Sequence, residues 1–212
     1  MDLTALDETD SIFTVLGEVH YQTLAAERAF RAFEDACSRR AAASEVQLQL
    51  QAQGDIMFAI DAFVAPLGRL SSMLFPHPQK KRHKERAHAR GQRLRELLLI
   101  DDDHPIGSDA GLALRNDLMH IDERIDDAVE RHADSWAPHA WLDGRHDDDP
   151  GPIATTRIMC CYFLGSRSMT IFGQLRDLLP LHASVLDIRA RLDAFLAAWR
   201  TEQQRRRQTM EF

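Results

Sequence analysis

One stretch of this chain carries residue types that can handle a phosphate group. Arg115-Asn116-Asp117-Leu118-Met119-His120 runs directly into Ile121-Asp122-Glu123-Arg124. A guanidinium such as that of Arg115 can hold a phosphate through two parallel hydrogen bonds. The imidazole of His120, with an ordinary pKa of about 6.5, can give or take a proton near neutrality. Asn116 can orient either the scissile group or the ring, and Asp117 is a candidate supporting residue behind them. The Arg-to-His spacing alone says little, because similar intervals separate Arg82 from His88 and Arg176 from His182. Only Arg115 is followed by Asn, and only that pair sits within one long amphipathic run.

That run, Gly111 to about Ala133, predicts a helix with Leu114, Leu118, Ile121, Ile125 and Ala128 on its buried side. At about 100° per residue, Asn116, His120, Glu123 and Asp127 then point outward, and the long Arg115 side chain reaches the same row from its flank. Two readings stay open. The row is either a solvated face with pairs such as His120 with Arg124, worth a few tenths of a kcal/mol each, or a site. Glu123 and Asp127 count against the second reading, since they favour the charged imidazole and repel a phosphate.

The motif and its continuation, His-x-Asp-Glu-Arg, resemble the signature of the HEPN superfamily (higher eukaryotes and prokaryotes nucleotide-binding), in which an Arg and a polar residue precede a His by four to six positions. The likeness covers this helix and the general order of helices. It implies a homodimer in which the Arg115–His120 faces of two subunits share one cleft, and metal-independent cleavage of RNA there. Arg115, Asn116 and His120 would be the catalytic residues, acting on the 2′-hydroxyl proton, the leaving oxygen and the charge at phosphorus. The resemblance also implies a toxin or phage-defence role, with a small nucleotidyltransferase-like antitoxin as partner. The competing expectation is a non-catalytic module that only dimerises or binds a nucleotide.

A second feature bears on RNA. Between positions 79 and 95, Lys80, Lys81, Arg82, Lys84, Arg86, Arg90, Arg93 and Arg95 face the single acid Glu85. Such a run can track a nucleic-acid backbone, and Lys80, Lys81, Arg82, Lys84 and Arg86 are its candidate contacts. The alternative is a solvated helix start. No aromatic residue interleaves the run, so base stacking is not indicated.

The rest of the composition narrows the classes. With 33 acids against 26 Lys plus Arg, the chain's formal charge is -7, so contact with nucleic acid has to be local. Its 212 residues, 44% hydrophobic and 28% charged, suit one soluble globular domain and exclude fibrous and disulfide-stapled classes. Three cysteines, Cys37, Cys160 and Cys161, offer no paired framework and suit a reducing compartment, so a cytoplasmic protein is expected. The acidic start lacks the pattern of a secretory signal. The most apolar stretch, Ile56–Leu67, is interrupted by Asp61 and short for a bilayer, so no membrane segment is expected. His132, His139 and His146 recur every seven residues, but Pro138 and Gly144 break any shared face, and no metal site is expected. No GxGxxG, GxxxxGK[ST], HExxH or GxSxG motif occurs, and no cofactor is implied.

These elements predict an all-α, up-and-down bundle of four to five helices with a short β-hairpin before the last one. The apolar stripe Ile12, Leu16, Val19, Thr23, Ala26, Phe30, Phe33, Cys37 marks the first helix. A second runs from about Ser44 to Leu74, kinked at Pro66. A third ends at Asp101-Asp102-Asp103-His104-Pro105. Ser135–Pro152 reads as a surface loop, Thr156–Phe163 and Ser168–Phe172 as a hairpin around Gly165-Ser166, and His182–Arg207 as the last helix. Asp61, set in an apolar helix, is expected to be buried against Arg69 or Arg115. One domain spans 1–212, with positions 134–175 as a loop and hairpin insertion.

Overall fold

The computed structural model describes residues 9–76, 81–107, 137–142, 158–171 and 174–210. The Arg115-Asn116-Asp117-His120 motif, its predicted helix and Lys80 lie outside those residues. What is described is a helical bundle carrying a small sheet just before its last helix, as the sequence pattern predicts.

Helix α1 (Thr9–Ala42) and helix α2 (Val46–Leu74) form an antiparallel pair. Their stripes meet along the whole length, with Phe30 against Phe63 at 5.3 Å between ring centroids and Arg39 bonded to Asp55 at 2.8 Å near the turn. Every residue of the predicted α2 stripe, Ile56, Ile60, Phe63, Leu67, Leu70 and Leu74, is at most 2% exposed. Helix α2 continues through Pro66. Proline cannot bond the carbonyl one turn back, at Ala62, but Ala62 is exposed, so solvent can take that oxygen. By length and composition α2 could cross a membrane, yet 56% of its apolar window is buried within the bundle, as in the core helix of a soluble protein.

Helix α3 (Lys81–Leu98) follows the Phe75-Pro76 corner, and a single 3-10 turn (Pro105–Gly107) leads away from it. The last helix, α4 (Leu178–Met210), runs antiparallel to α1. Phe13 meets Trp199 at 4.8 Å, Glu27 is bonded by Arg189, and Phe30 stacks on His182 at 3.9 Å. Of the stripe that the spacing predicts, Val185, Ile188, Leu192 and Phe195 are buried and Trp199 is half-buried.

The sheet holds four strands in sequence order: β1 (Ala137–Leu142), β2 (Ile158–Phe163), β3 (Ser168–Ile171) and β4 (Gln174–Asp177). Strands β2 and β3 form the expected hairpin, with Cys160 opposite Ile171 and Phe163 opposite Ser168. Strand β1 corrects the loop reading of Ser135–Pro152, because Ala137–Leu142 pairs parallel to β2. Pro138 is tolerated because β1 is an edge strand, where one row of amides needs no ladder partner. Cys160, Tyr162 and Leu164 join the main core, while Cys161, Phe163 and Thr170 are buried as well. Burial on both faces explains why this strand reads as an unbroken apolar run rather than an alternation. The last helix also starts earlier than its apolar stripe suggests. Asp177 caps it by accepting the Leu179 N–H at 3.0 Å, and Pro180 sits in the first turn, where its missing donor costs nothing.

Candidate nucleic-acid interface

Helix α3 reaches the bundle through a narrow face. Gly91, Leu94, Leu97 and Leu98 are buried, and the Phe75-Pro76 corner lies directly on Gly91. A Cβ at Gly91 would stand 2.5 Å from Pro76 Cδ and 2.9 Å from the Leu74 carbonyl oxygen. Close approach at this point fixes the rotation of α3 about its own axis. It therefore fixes which basic residues face out.

Arg86, Arg90 and Arg93 are exposed and follow one another at intervals of four and three, so they form one row along a flank of the helix, in line with the buried Leu97 one turn further on. Arg82 continues the row by one turn as a backbone position, and Lys81 and Lys84 stand in the same first turn. Arg93 is 3.4 Å from Glu96, whereas Arg86 and Arg90 have no acid partner among the described residues. That first turn contains no acid at all. Cations at the positive end of a helix are unfavourable, by about 0.3–1 kcal/mol each when exposed, so α3 begins against its own electrostatics.

Arg95 belongs to a different arrangement. Its guanidinium donates to the Leu74 carbonyl, lies 4.8 Å from the centroid of the Phe75 ring and bonds Asp102 at 3.1 Å through Nε. It braces the corner and is not available to a ligand. Beyond it a solvent-open cleft of about 630 Å³ is rimmed by Glu96, Asp101 and Asp102. Its acids would repel phosphate, so the cationic row ends near Arg93.

The end of α3 is tied to α4. Leu99 takes φ 54°, the left-handed conformation that closes helices, and the Ile100 N–H donates to the Arg95 carbonyl at 2.9 Å. Arg191 donates to the Leu99 carbonyl and, at 2.7 Å, to Asp187. His104 completes the tie. Its Nδ1 accepts the Ile106 N–H at 3.3 Å, which leaves the neutral ring's proton on Nε2, 3.3 Å from Asp187 Oδ2. Burial lowers the His104 pKa, and the hydrogen bond with Asp187 opposes that shift. The sequence does not disclose this network. Asp101–Pro105 reads in sequence as a helix stop, and nothing local announces a partner 83 positions away.

Other titratable groups offer little chemistry. Burial pushes the thiols of Cys37 and Cys160 up to about 11 and raises that of Cys161, and all three are free and buried, so none is a nucleophile at neutral pH. His182 is lowered by burial against Phe30 and Phe63. Asp61 corrects one part of its expectation: it is exposed rather than buried, and its charge reaches Cys160 and Tyr162, while the expected partner Arg115 lies outside the described residues. The α2 face that carries it is exposed through Ala62 and Ala65, so that side chain reaches water without crossing the core. Among the described residues, no cluster of His, Cys, Asp or Glu could hold a metal ion.

Comparison with known proteins finds no matching family model, no matching curated protein and no matching solved structure.

Proposed function

We propose that this protein binds RNA along the arginine row of α3 and cleaves it without a metal, in the manner of HEPN ribonucleases, through Arg115, Asn116 and His120. The observation that carries the reading is the exposed row Arg86, Arg90, Arg93, two of whose members lack a described acid partner, in a chain whose formal charge is -7. A cationic stripe on an acidic molecule marks where an anionic polymer can lie, and the phosphate contacts would supply most of the affinity.

In the proposed reaction Arg115 holds the scissile phosphate and His120 takes the proton of the adjacent 2′-hydroxyl. The 2′-oxygen bonds to phosphorus, the bond to the 5′-oxygen breaks, and that oxygen receives a proton. The ends formed are a 2′,3′-cyclic phosphate and a 5′-hydroxyl. Two copies would share the cleft, and a nucleotidyltransferase-like antitoxin would be the partner that silences it.

Expression of the chain alone, with growth and RNA integrity compared between wild type, His120→Ala and Arg86→Gln/Arg90→Gln, tests the reading. Cleavage lost in His120→Ala and weakened in the double variant supports both halves. RNA binding without cleavage in wild type leaves only the binding half. Absence of both, in a folded protein, overturns the proposal in favour of a non-catalytic interaction module.

A further inference from the structure

We propose that the outer face of α2 pairs with the same face of a second copy, antiparallel, about a two-fold axis at Ala65. The face is exposed through Phe58, Asp61, Ala62, Ala65, Arg69 and Ser72, spaced three and four apart along one side of the helix. Phe58 is 78% exposed, the highest value among the large apolar side chains described. A phenyl ring left in water on an otherwise core-forming helix is the kind of group that anchors an interface.

The pattern matches itself when reversed. A two-fold axis sets each residue opposite the one equally far on the other side of Ala65. Asp61 and Arg69 are each four positions away, so each carboxylate meets a guanidinium of the other copy, twice over. Phe58 and Ser72 are each seven positions away, so each ring meets a small residue. The Ser72 hydroxyl is already turned onto the Gly68 carbonyl at 2.7 Å, which leaves its methylene for the ring. At the axis Ala65 meets Ala65, with Ala62 beside it, and side chains of that size let two helices approach to about 8 Å.

Charge is complementary as well. Arg69 has no acid partner among the described residues. Asp61 is exposed although its charge already acts on Cys160 and Tyr162, and a carboxylate with two oxygens can accept a further donor. From Phe58 to Ser72 the contact spans about 21 Å of helix, small for a permanent dimer, so the pair is reversible, with Kd on the order of 10 µM. The pairing is argued from α2 alone and does not depend on the ribonuclease reading.

Sedimentation equilibrium of the full chain from about 1 to about 200 µM should show a reversible association step, monomer to dimer, or dimer to tetramer where the Arg115–His120 cleft also pairs the copies. Phe58→Ser should raise Kd at least about tenfold. Asp61→Arg and Arg69→Asp should each weaken the dimer, and the two together should restore it, since the reversed charges again face one another across the axis. Ala65→Cys should give a disulfide-linked dimer under mild oxidation, a readout that needs no change of stability. A monomer throughout the range overturns the proposal. So does a dimer that ignores Phe58→Ser, a double reversal that fails to restore pairing, absence of the Ala65→Cys cross-link, or a dimer that only His120→Ala dissociates.

Discussion

Neutralising the arginine row should change how RNA binding responds to salt, and the size of the change follows from α3. Each arginine that sits on a phosphate displaces condensed counterions, so the logarithm of affinity for a single strand falls with the logarithm of salt by about 0.7 per contact. Arg86, Arg90 and Arg93 are the exposed members whose side chains share one row. Replacing all three by Gln should therefore make the slope shallower by about 2. Between 50 and 200 mM salt the wild type should then lose roughly twentyfold more affinity than the variant. Fluorescence anisotropy of a labelled single-stranded RNA, titrated at four or more salt concentrations, measures this directly. The control neutralises Arg200, Arg205 and Arg207, which are exposed on α4, so that net charge changes equally. Parallel lines for wild type and the α3 variant, or an equal effect from the α4 variant, would refute the assignment, because binding would then follow overall charge rather than this face.

Three further expectations concern stability. Gly91→Ala should destabilise by about 1–3 kcal/mol in urea unfolding, although alanine favours helix by about 1 kcal/mol, because the added methyl meets Pro76 and the Leu74 carbonyl; Gly17→Ala, with nothing within 4 Å, should stabilise by about 0.5–1 kcal/mol. Leu99→Gly should raise stability by up to about 1 kcal/mol, since leucine at φ 54° bears a strain that glycine does not; a loss would mean that the 74% exposed side chain makes contacts that matter. Acidification should weaken the fold. His104 and His182 both have folded pKa values below the ordinary 6.5, so the unfolded chain binds protons first, and stability present above pH 6.5 declines as pH falls through the folded values. Urea midpoints at pH 7.5 and 5 should show the decline, and His104→Gln should flatten it; an unchanged slope would remove His104 from the account.

How far the sequence discloses this molecule depends on whether a residue's role is local. The stripes of α1, α2 and α4 are local, because helical period alone decides which residues face the core, and those positions are buried where the spacing puts them, apart from the half-buried Ile12 and Trp199 near the helix ends. Strand β1 is not. Ala137–Leu142 contains a proline and sits among Asp, Gly and Pro, so its composition says loop, while its strand state is set by a parallel partner about twenty positions on. Asp61 failed for the same reason in reverse. Its neighbours in sequence are apolar, but α2 buries only one side, and Asp61 lies on the other with Ala62 and Ala65. The cationic run follows the same logic at the candidate site. Counting arginines finds the positive field, yet Arg95 and Arg90 are indistinguishable in sequence. Packing tells them apart: Arg95 lies over Phe75 and bonds the Leu74 carbonyl, while Arg90 stays exposed beside the contact of Gly91 with Pro76. The seat of the Phe75-Pro76 corner on α3, made close by the absence of one methyl group at Gly91, thus separates the arginine that braces the corner from those that can meet a phosphate. That is why Gly91→Ala is expected to disturb RNA binding as well as stability, while Gly17→Ala should leave binding as it is.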